Sequence, residues 1–214
     1  MPDIFDEVEE DLRAERMKRL LARYGGLLTG LLVVVILGVA GWEGWRWYEA
    51  RGAGQAAEAY LAAGRAATEP NADLKAIAGR YDAVAADAPG GYRTLARLRA
   101  AALRAEAGDR DGALAEWDAV SRDGGTDPLY RDLATLLWGL HSVDAGDPAA
   151  IEARLAPLAG GPWRSLADEV RALAALKRND TEAAKRILTA LTTDPLAPQG
   201  VRDRAGRLLA GLNG

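Results

Sequence analysis

Hydrophobic and polar positions along the chain fall into three patterns. In the first 23 residues, charged residues surround an apolar stripe at helical spacing, formed by Ile4, Phe5, Val8 and Leu12. The next segment, 24–42, reads YGGLLTGLLVVVILGVAGW and carries no charge. Beyond it, apolar residues recur every three or four positions, which is the period of amphipathic helices. The pattern predicts an all-α protein: a single N-terminal transmembrane helix followed by a helical domain.

The charge-free segment has the length needed to cross a bilayer. Its 19 residues extend about 28 Å as an α-helix, close to the hydrocarbon thickness. A buried helix of a soluble protein usually keeps a polar face, whereas this segment offers only Thr29. A cleaved signal peptide is the other alternative, because Gly38-Val39-Ala40 imitates a cleavage site. The segment is longer than the usual signal core and is followed at once by tryptophans, so we predict an uncleaved signal anchor.

Basic residues predict the orientation of this helix. Five lie in the 15 residues before it and two in the 15 after it: Arg13, Arg16, Lys18, Arg19, Arg23, and then Arg46 and Arg51. The positive-inside rule places the N-terminus in the cytoplasm and the rest across the membrane, which in a bacterium is the periplasm. We therefore divide the chain into a cytoplasmic amphipathic helix (1–23), a transmembrane helix (24–42) and a periplasmic helical domain (43–214), anchored in the inner membrane.

Glycines in the apolar segment are the candidate membrane helix-packing face. Gly26 and Gly30 form a small-xxx-small pair, and Gly38 and Gly41 extend nearly the same helical face. Small residues let a second helix approach closely, which predicts a helical partner inside the membrane. The alternative is that glycine is simply frequent in membrane helices.

A repeat runs through the C-terminal domain. Two-residue turns recur at Gly108-Asp109, Gly146-Asp147 and Asn179-Asp180, 38 and 33 residues apart. Prolines recur at similar intervals, at Pro89, Pro128, Pro162 and Pro195. When the turns are aligned, matching residues fall at four further positions: Ala101, Gly139, Ala172; Ala113, Ile151, Ala184; Trp117, Leu155, Leu188; and Val120, Leu158, Leu191. A period near 34 predicts stacked helical hairpins.

This pattern resembles the tetratricopeptide repeat over about residues 92–195. The repeat has a small residue where its two helices cross, a Gly-Asp type of turn, an alanine, a large apolar residue and a terminal proline. An earlier, degenerate unit fits Ile77, Tyr81, Val84 and Pro89. Asp127-Pro128, Asp147-Pro148 and Gly161-Pro162 read as helix starts, and 201–212 reads as a polar-faced capping helix. The resemblance implies a tetratricopeptide-like α-solenoid.

The resemblance also implies a partner-binding groove. In tetratricopeptide arrays the first helix of each hairpin lines a concave surface, and eight leucines fall at such positions here: Leu95, Leu98, Leu133, Leu136, Leu140, Leu166, Leu173 and Leu176. An exposed patch of that size needs a cover. An unfolded client segment, a chaperone surface, a second copy of the chain or the folded-back first helix would each supply one. The alternative is a register shift by one residue, which would pack the leucines between hairpins.

Composition excludes several kinds of chemistry. The chain has no cysteine, one histidine and a net charge of −4. Thiolate metal sites are therefore absent, and a broad nucleic-acid-binding surface is disfavoured, so we expect no nucleic-acid partner. His141 lies in a predicted helix without a recognisable Ser or Asp partner, and no Walker-type phosphate loop is present. We predict a non-enzymatic protein with no catalytic, cofactor-binding or metal-binding residue.

The whole plan is similar to one family. The helix DIFDEVEEDLRAERMKRLLARYG, the glycine-rich span ending in GWEGWRWY and the alanine-rich start of the repeat domain resemble the ancillary SecYEG translocon subunit family of Gram-negative bacteria, in its alphaproteobacterial form. The resemblance is strongest over residues 3–62. It implies an inner-membrane scaffold that associates with the SecYEG translocon and with periplasmic chaperones or secreted clients. An envelope scaffold for cell-division or cell-wall machinery is the alternative.

Overall fold

The computed structural model describes the backbone of residues 4–213 and the side chains of Lys18 and residues 22–212. Every regular element in these ranges is helical. The α-helices are α1 (Ile4–Ala67), α2 (Leu74–Asp87), α3 (Gly90–Glu106), α4 (Arg110–Arg122), α5 (Pro128–Ser142), α6 (Pro148–Leu155), α7 (Arg164–Lys177), α8 (Thr181–Thr193) and α9 (Gln199–Asn213). A 3₁₀ turn, Ala156–Gly160, continues α6.

The chain forms two compact units, Met1–Arg51 and Gly52–Gly214. In the first unit, the described side chains of α1 are almost all exposed, including a long series of leucines, valines and tryptophans. By length and apolar composition, α1 can cross a membrane. The predicted stripe of Ile4, Phe5, Val8 and Leu12 lies outside the described side chains.

The second unit is a series of helical hairpins that pack against one another in chain order. The end of α1 pairs with α2, α3 with α4, α5 with α6, and α7 with α8. Helix α9 closes the series, because its Val201 and Ala205 are buried against Leu188 and Leu191 of α8. This arrangement matches the predicted solenoid with a C-terminal capping helix.

The register of the predicted repeat is confirmed by burial. The nine residues that follow the three turns, at the alanine and large apolar positions, are all at most 3% exposed. The small residues Ala101, Gly139 and Ala172 are buried as well. A Cβ at Gly139 would stand 3.0 Å from both Cδ atoms of Leu155, so α5 and α6 cross at glycine because nothing larger fits.

The interior consists of four hydrophobic clusters strung along the unit. They centre on Tyr81, on Trp117, on Leu155 and on Leu188. Half of the buried hydrophobic residues are alanines. Small side chains bring the helices close together, and each cluster then needs only a few large residues to fill it.

Local chemistry starts the second helix of every hairpin. Asp73, Asp109, Asp147 and Asp180 are the N-caps of α2, α4, α6 and α8, and each carboxylate accepts a hydrogen bond from a backbone N–H of the first turn. Such a cap satisfies one of the amide groups that a helix start leaves unpaired. The predicted starts at Asp127-Pro128 and Asp147-Pro148 are confirmed.

The predicted start at Gly161-Pro162 is wrong. Helix α7 begins at Arg164 with Trp163 as its N-cap. The Trp163 Nε1–H donates to the carbonyl oxygen of Leu129, at 3.0 Å, and Gly161 closes the preceding 3₁₀ turn in an extended conformation. The hydrogen bond from Trp163 to Leu129 therefore accompanies a start of α7 that is two residues later than predicted.

Candidate partner-binding site

The eight predicted groove leucines do not share one surface. Leu98 and Leu136 are buried, at 8% and 5% exposure, in two different clusters. Leu133 packs against the cluster of Leu98, whereas Leu166 and Leu173 pack against that of Leu136. These five residues pack between helices, although the register of the repeat is not shifted.

The remaining three leucines are more accessible. Leu95 and Leu176 are half-buried, and Leu140 is 46% exposed. Of the eight leucines, Leu140 is the one with an exposed side chain. A role for these leucines in binding stays a prediction, and Leu140 is the most accessible position at which to probe it.

The predicted glycine face lies on an open part of α1. A Cβ built on Gly26, Gly30, Gly38 or Gly41 meets no described atom within 4 Å. The face therefore has room for a helix from another molecule. Its use in packing stays a prediction.

An alanine-lined hollow between α1 and α2 was missed by the sequence analysis. It has a volume of about 540 Å³, and its walls are Gly52, Gln55, Ala56, Ala59, Ala62, Ala63, Arg80, Ala83, Val84, Asp87 and Ala88. Arg80 and Asp87 are its charged members. Alanines at helical spacing were the available signal, but they are common in any helix of this chain and so did not stand out.

Tyrosines pack together near this hollow. The rings of Tyr60 and Tyr81 meet edge to face with centroids 5.0 Å apart, and Tyr92 lies 6.0 Å from Tyr60. A Cβ on Gly64 would come within 3.2 Å of the Tyr81 hydroxyl, so a small residue is required at this crossing. Burial, reinforced by Tyr81, raises the pKa of Tyr60, so this phenol stays neutral at physiological pH. The cluster packs α1, α2 and α3 against one another beside the hollow.

A second cleft, of about 320 Å³, lies between α7 and α8 and is lined by charged residues. Arg164 pairs with Asp194, and the Arg171 Nη1 lies 2.9 Å from the Asp168 Oδ1. Both arginines are thus engaged by carboxylates of their own chain. The Arg164–Asp194 pair joins α7 to the end of α8, whereas the Arg171–Asp168 pair lies within α7.

His141 packs against a buried aromatic side chain. Its ring stacks on that of buried Trp117, with centroids 4.6 Å apart. Partial burial, and then the charge of Arg110, lower the pKa of His141. Among the described side chains, no group of three or more His, Asp and Glu residues is arranged to hold a metal ion.

Taken together, antiparallel hairpins, aspartate caps and small crossing residues define an α-helical repeat protein. The chain belongs to the tetratricopeptide repeat-like domain family, whose model matches residues 18–194. The match begins before the apolar segment and ends after α8, so it includes all four hairpins and leaves α9 outside. No curated protein and no solved structure matches the chain.

The family match confirms the predicted tetratricopeptide-like fold. Repeat domains of this class are protein–protein interaction scaffolds and are typically non-catalytic. Protein partners are therefore the ligands that the fold indicates, and the surfaces described above are the candidates for binding them.

Proposed function

We propose that the protein is a membrane-anchored scaffold that binds protein partners at the SecYEG translocon. In this proposal α1 crosses the bacterial inner membrane once, with the N-terminus in the cytoplasm. The repeat domain stands in the periplasm, where it links the channel to chaperones or to emerging secreted chains.

One observation carries the proposal: a charge-free, exposed apolar segment belongs to the same helix that opens the repeat domain. Residues 24–42 lie in α1, and so do Ala56 and Ala63, which are buried against α2. An exposed apolar run of this length is unstable in water and stable in a bilayer. The excess of Lys and Arg before the segment supports the proposed orientation.

The choice of SecYEG rests on the resemblance of residues 3–62 to the ancillary translocon subunits. The open glycine face of α1 offers a surface for a channel helix. The alanine-lined hollow offers a second surface outside the membrane. A helix with small residues could lie close to both walls of this hollow.

Photo-crosslinking in living cells tests the assignment. A photoreactive amino acid placed at Leu32 in the apolar segment, and in a second strain at Ala59 in the hollow, should trap channel subunits or periplasmic chaperones, identified by mass spectrometry. A probe at Glu106, an exposed site at the end of α3, is the control. Division or cell-wall proteins at Leu32 and Ala59 would contradict the proposal and favour the alternative scaffold.

The glycine face can be tested separately with matched variants. A second probe at Leu37, seven residues after Gly30, lies on the glycine face. Gly26→Leu combined with Gly30→Leu should reduce the crosslink from Leu37 at least tenfold, because leucine keeps the partner helix away. Gly25→Leu, one residue outside this face, should leave the crosslink within twofold. Equal effects of the two changes would show that the glycines do not form the contact. Resistance to carbonate extraction and digestion of the repeat domain by protease added to spheroplasts test the anchor and its orientation.

A further inference from the structure

A large apolar residue directly follows the proline at three successive loops between hairpins. Leu129, Trp163 and Leu196 each follow directly after a proline, and they are 34 and 33 residues apart. Leu129 is 43% and Leu196 is 83% exposed, while Trp163 is half-buried. Among the described side chains of residues 52–212, only two other large hydrophobic residues are exposed, Leu61 and Leu140. Packing within the domain gives no reason for an open leucine at 196.

These residues form one continuous ridge, although they come from three different loops. The Trp163 indole donates its hydrogen bond to the backbone of Leu129. Leu196 lines a hollow of about 370 Å³ together with Gly161 and Pro162. We name the proline-loop ridge by its six residues, which are Pro128, Leu129, Pro162, Trp163, Pro195 and Leu196.

The ridge lies at the end of the second unit that contains Gly52, the first residue of that unit. In the alanine-lined hollow, Gly52 and Gln55 share walls with Asp87 and Ala88, so the first residues of the unit stand beside the end of α2. The later loops are linked along the same edge. The Thr94 and Thr126 hydroxyls are 3.4 Å apart. Because successive helices alternate in direction, every loop that joins one hairpin to the next lies at this same end.

We propose that the proline-loop ridge inserts into the headgroup region of the membrane that α1 is proposed to cross. The inference rests on that anchoring, and the occupant is the lipid bilayer. The chain order favours lipid, because the unit begins four residues after Tyr48, at the end of an exposed aromatic cluster formed by Trp42, Trp45, Trp47 and Tyr48. Leucine and tryptophan side chains are suited to the boundary between headgroups and acyl chains.

The charges beside the ridge indicate which lipids matter. Arg164 is held by Asp194, and Asp127 is used as the N-cap of α5. Arg131 and Asp132 follow each other at the start of α5, so positive charge is not in excess. Contact should therefore depend on apolar insertion, with little dependence on anionic lipid or salt.

Depth-dependent fluorescence quenching of the full chain in liposomes tests the inference. Since the chain has no cysteine, L129C and L196C each give one site for an environment-sensitive fluorophore. Phosphatidylcholine carrying a quencher near the headgroup should quench both labels at least threefold more than a label at A145C. Ala145 is exposed just past the other end of α5, about 22 Å along the helix from Leu129. Replacing a third of the lipid with phosphatidylglycerol, or adding salt, should change the quenching less than twofold.

A label at L32C separates this inference from the anchor. A quencher deep in the acyl chains should quench the label at position 32. If it does so while the labels at positions 129 and 196 are quenched no more than the label at position 145, the ridge inference is overturned and the membrane anchor is still supported. No quenching at position 32 overturns the anchor itself. The labels at positions 129 and 196 could instead escape quenching by lipid and become shielded from solvent only when purified channel complex is added. That result would also overturn the inference, because the ridge would then be a protein-docking surface. Circular dichroism of each variant confirms that it is folded.

Discussion

The guanidinium of Arg204 and the carboxylate of Glu169 are joined by two parallel hydrogen bonds, Nε to Oε1 at 2.6 Å and Nη2 to Oε2 at 2.7 Å. They attach α9 to α7, across the helix that lies between them in sequence. The Glu169 side chain is only 12% exposed, and the hydrogen bonds from Arg204 to Glu169 raise the pKa of Arg204. A bidentate pair fixes direction as well as distance, so it sets the position of the capping helix.

Removing this arginine should weaken the cap. In Arg204→Met, the Glu169 carboxylate stays largely buried and loses its partner, which we expect to cost about 1–2 kcal/mol, since the exposed side of the pair limits the loss. Urea denaturation of the full chain in detergent gives the free energy of unfolding. Arg207→Met, at an exposed site on the same helix, is the control, and equal midpoints for the two variants would refute the role of the pair.

The crossing of α5 and α6 should not tolerate a larger residue than glycine. Gly139→Val places methyl groups where Leu155 already lies within 3.0–3.2 Å of a Cβ. Overpacking of this kind typically costs about 2 kcal/mol. Gly79→Val makes the same change on the open side of α2, where a Cβ meets nothing within 4 Å, and should shift stability by less than about 0.5 kcal/mol. Thermal unfolding of both variants compares them, and a Gly139 variant as stable as the Gly79 variant would show that the crossing can relax.

The aspartate cap of α4 should contribute measurably to stability. Asp109 accepts a hydrogen bond from Gly112 N–H at 3.1 Å, so Asp109→Ala should cost about 1 kcal/mol. A Cβ on Gly112 would come within 2.5 Å of the same carboxylate, and Gly112→Ala should therefore weaken the cap as well. Asp111→Ala, in the same turn, is the matched control for chemical denaturation. If Asp111→Ala lowers the free energy of unfolding as much as Asp109→Ala does, the effect comes from negative charge near the helix start and the capping hydrogen bond does not contribute.

Acid should act partly through Asp123. A hydrogen bond from Gly125 N–H, followed by the charge of Arg97 and a hydrogen bond from Thr126, lowers the pKa of this carboxyl below 3.8. In the unfolded chain the group takes up a proton first as the pH falls. Its contribution to stability is thus present above pH 3.8 and is lost as the pH falls through the folded-state pKa.

Asp123→Asn should therefore be less stable than the wild type at neutral pH, and the difference should shrink toward pH 3. Urea midpoints at several pH values measure it, with Asp111→Asn as the exposed control. A difference that is constant with pH would exclude this titration as the cause.

The sequence predicted the repeat because its signals are local. An aspartate after a Gly or Asn starts a helix by bonding its own backbone, and the core positions then follow at fixed distances from the turn. Gly108 and Asn179 adopt φ values of 83° and 60°, a conformation that favours these residue types at the end of a helix. The four hairpins and the capping helix could therefore be predicted from spacing alone.

The features that spacing does not determine depend on contacts between helices. The start of α7 is displaced because Trp163 bonds to Leu129, 34 residues earlier. The groove leucines lie on the predicted helices. Helical spacing, however, does not determine the rotation of each helix about its own axis, and this rotation decides which side chains face the core. Leu98 and Leu136 consequently face the core. The alanine-lined hollow stayed hidden because its shape depends on two helices, and no single residue in it is unusual.

Four small clusters in chain order have a mechanical consequence. Each cluster is held mainly by helices adjacent in sequence, so tension applied at the C-terminus reaches α9 first and then the hairpins before it in turn. The domain would lengthen by peeling, one step at a time, and in an optical trap it would give a staircase of extensions. A partner that pulls on the C-terminus would therefore extend the domain gradually, without unfolding it in one step.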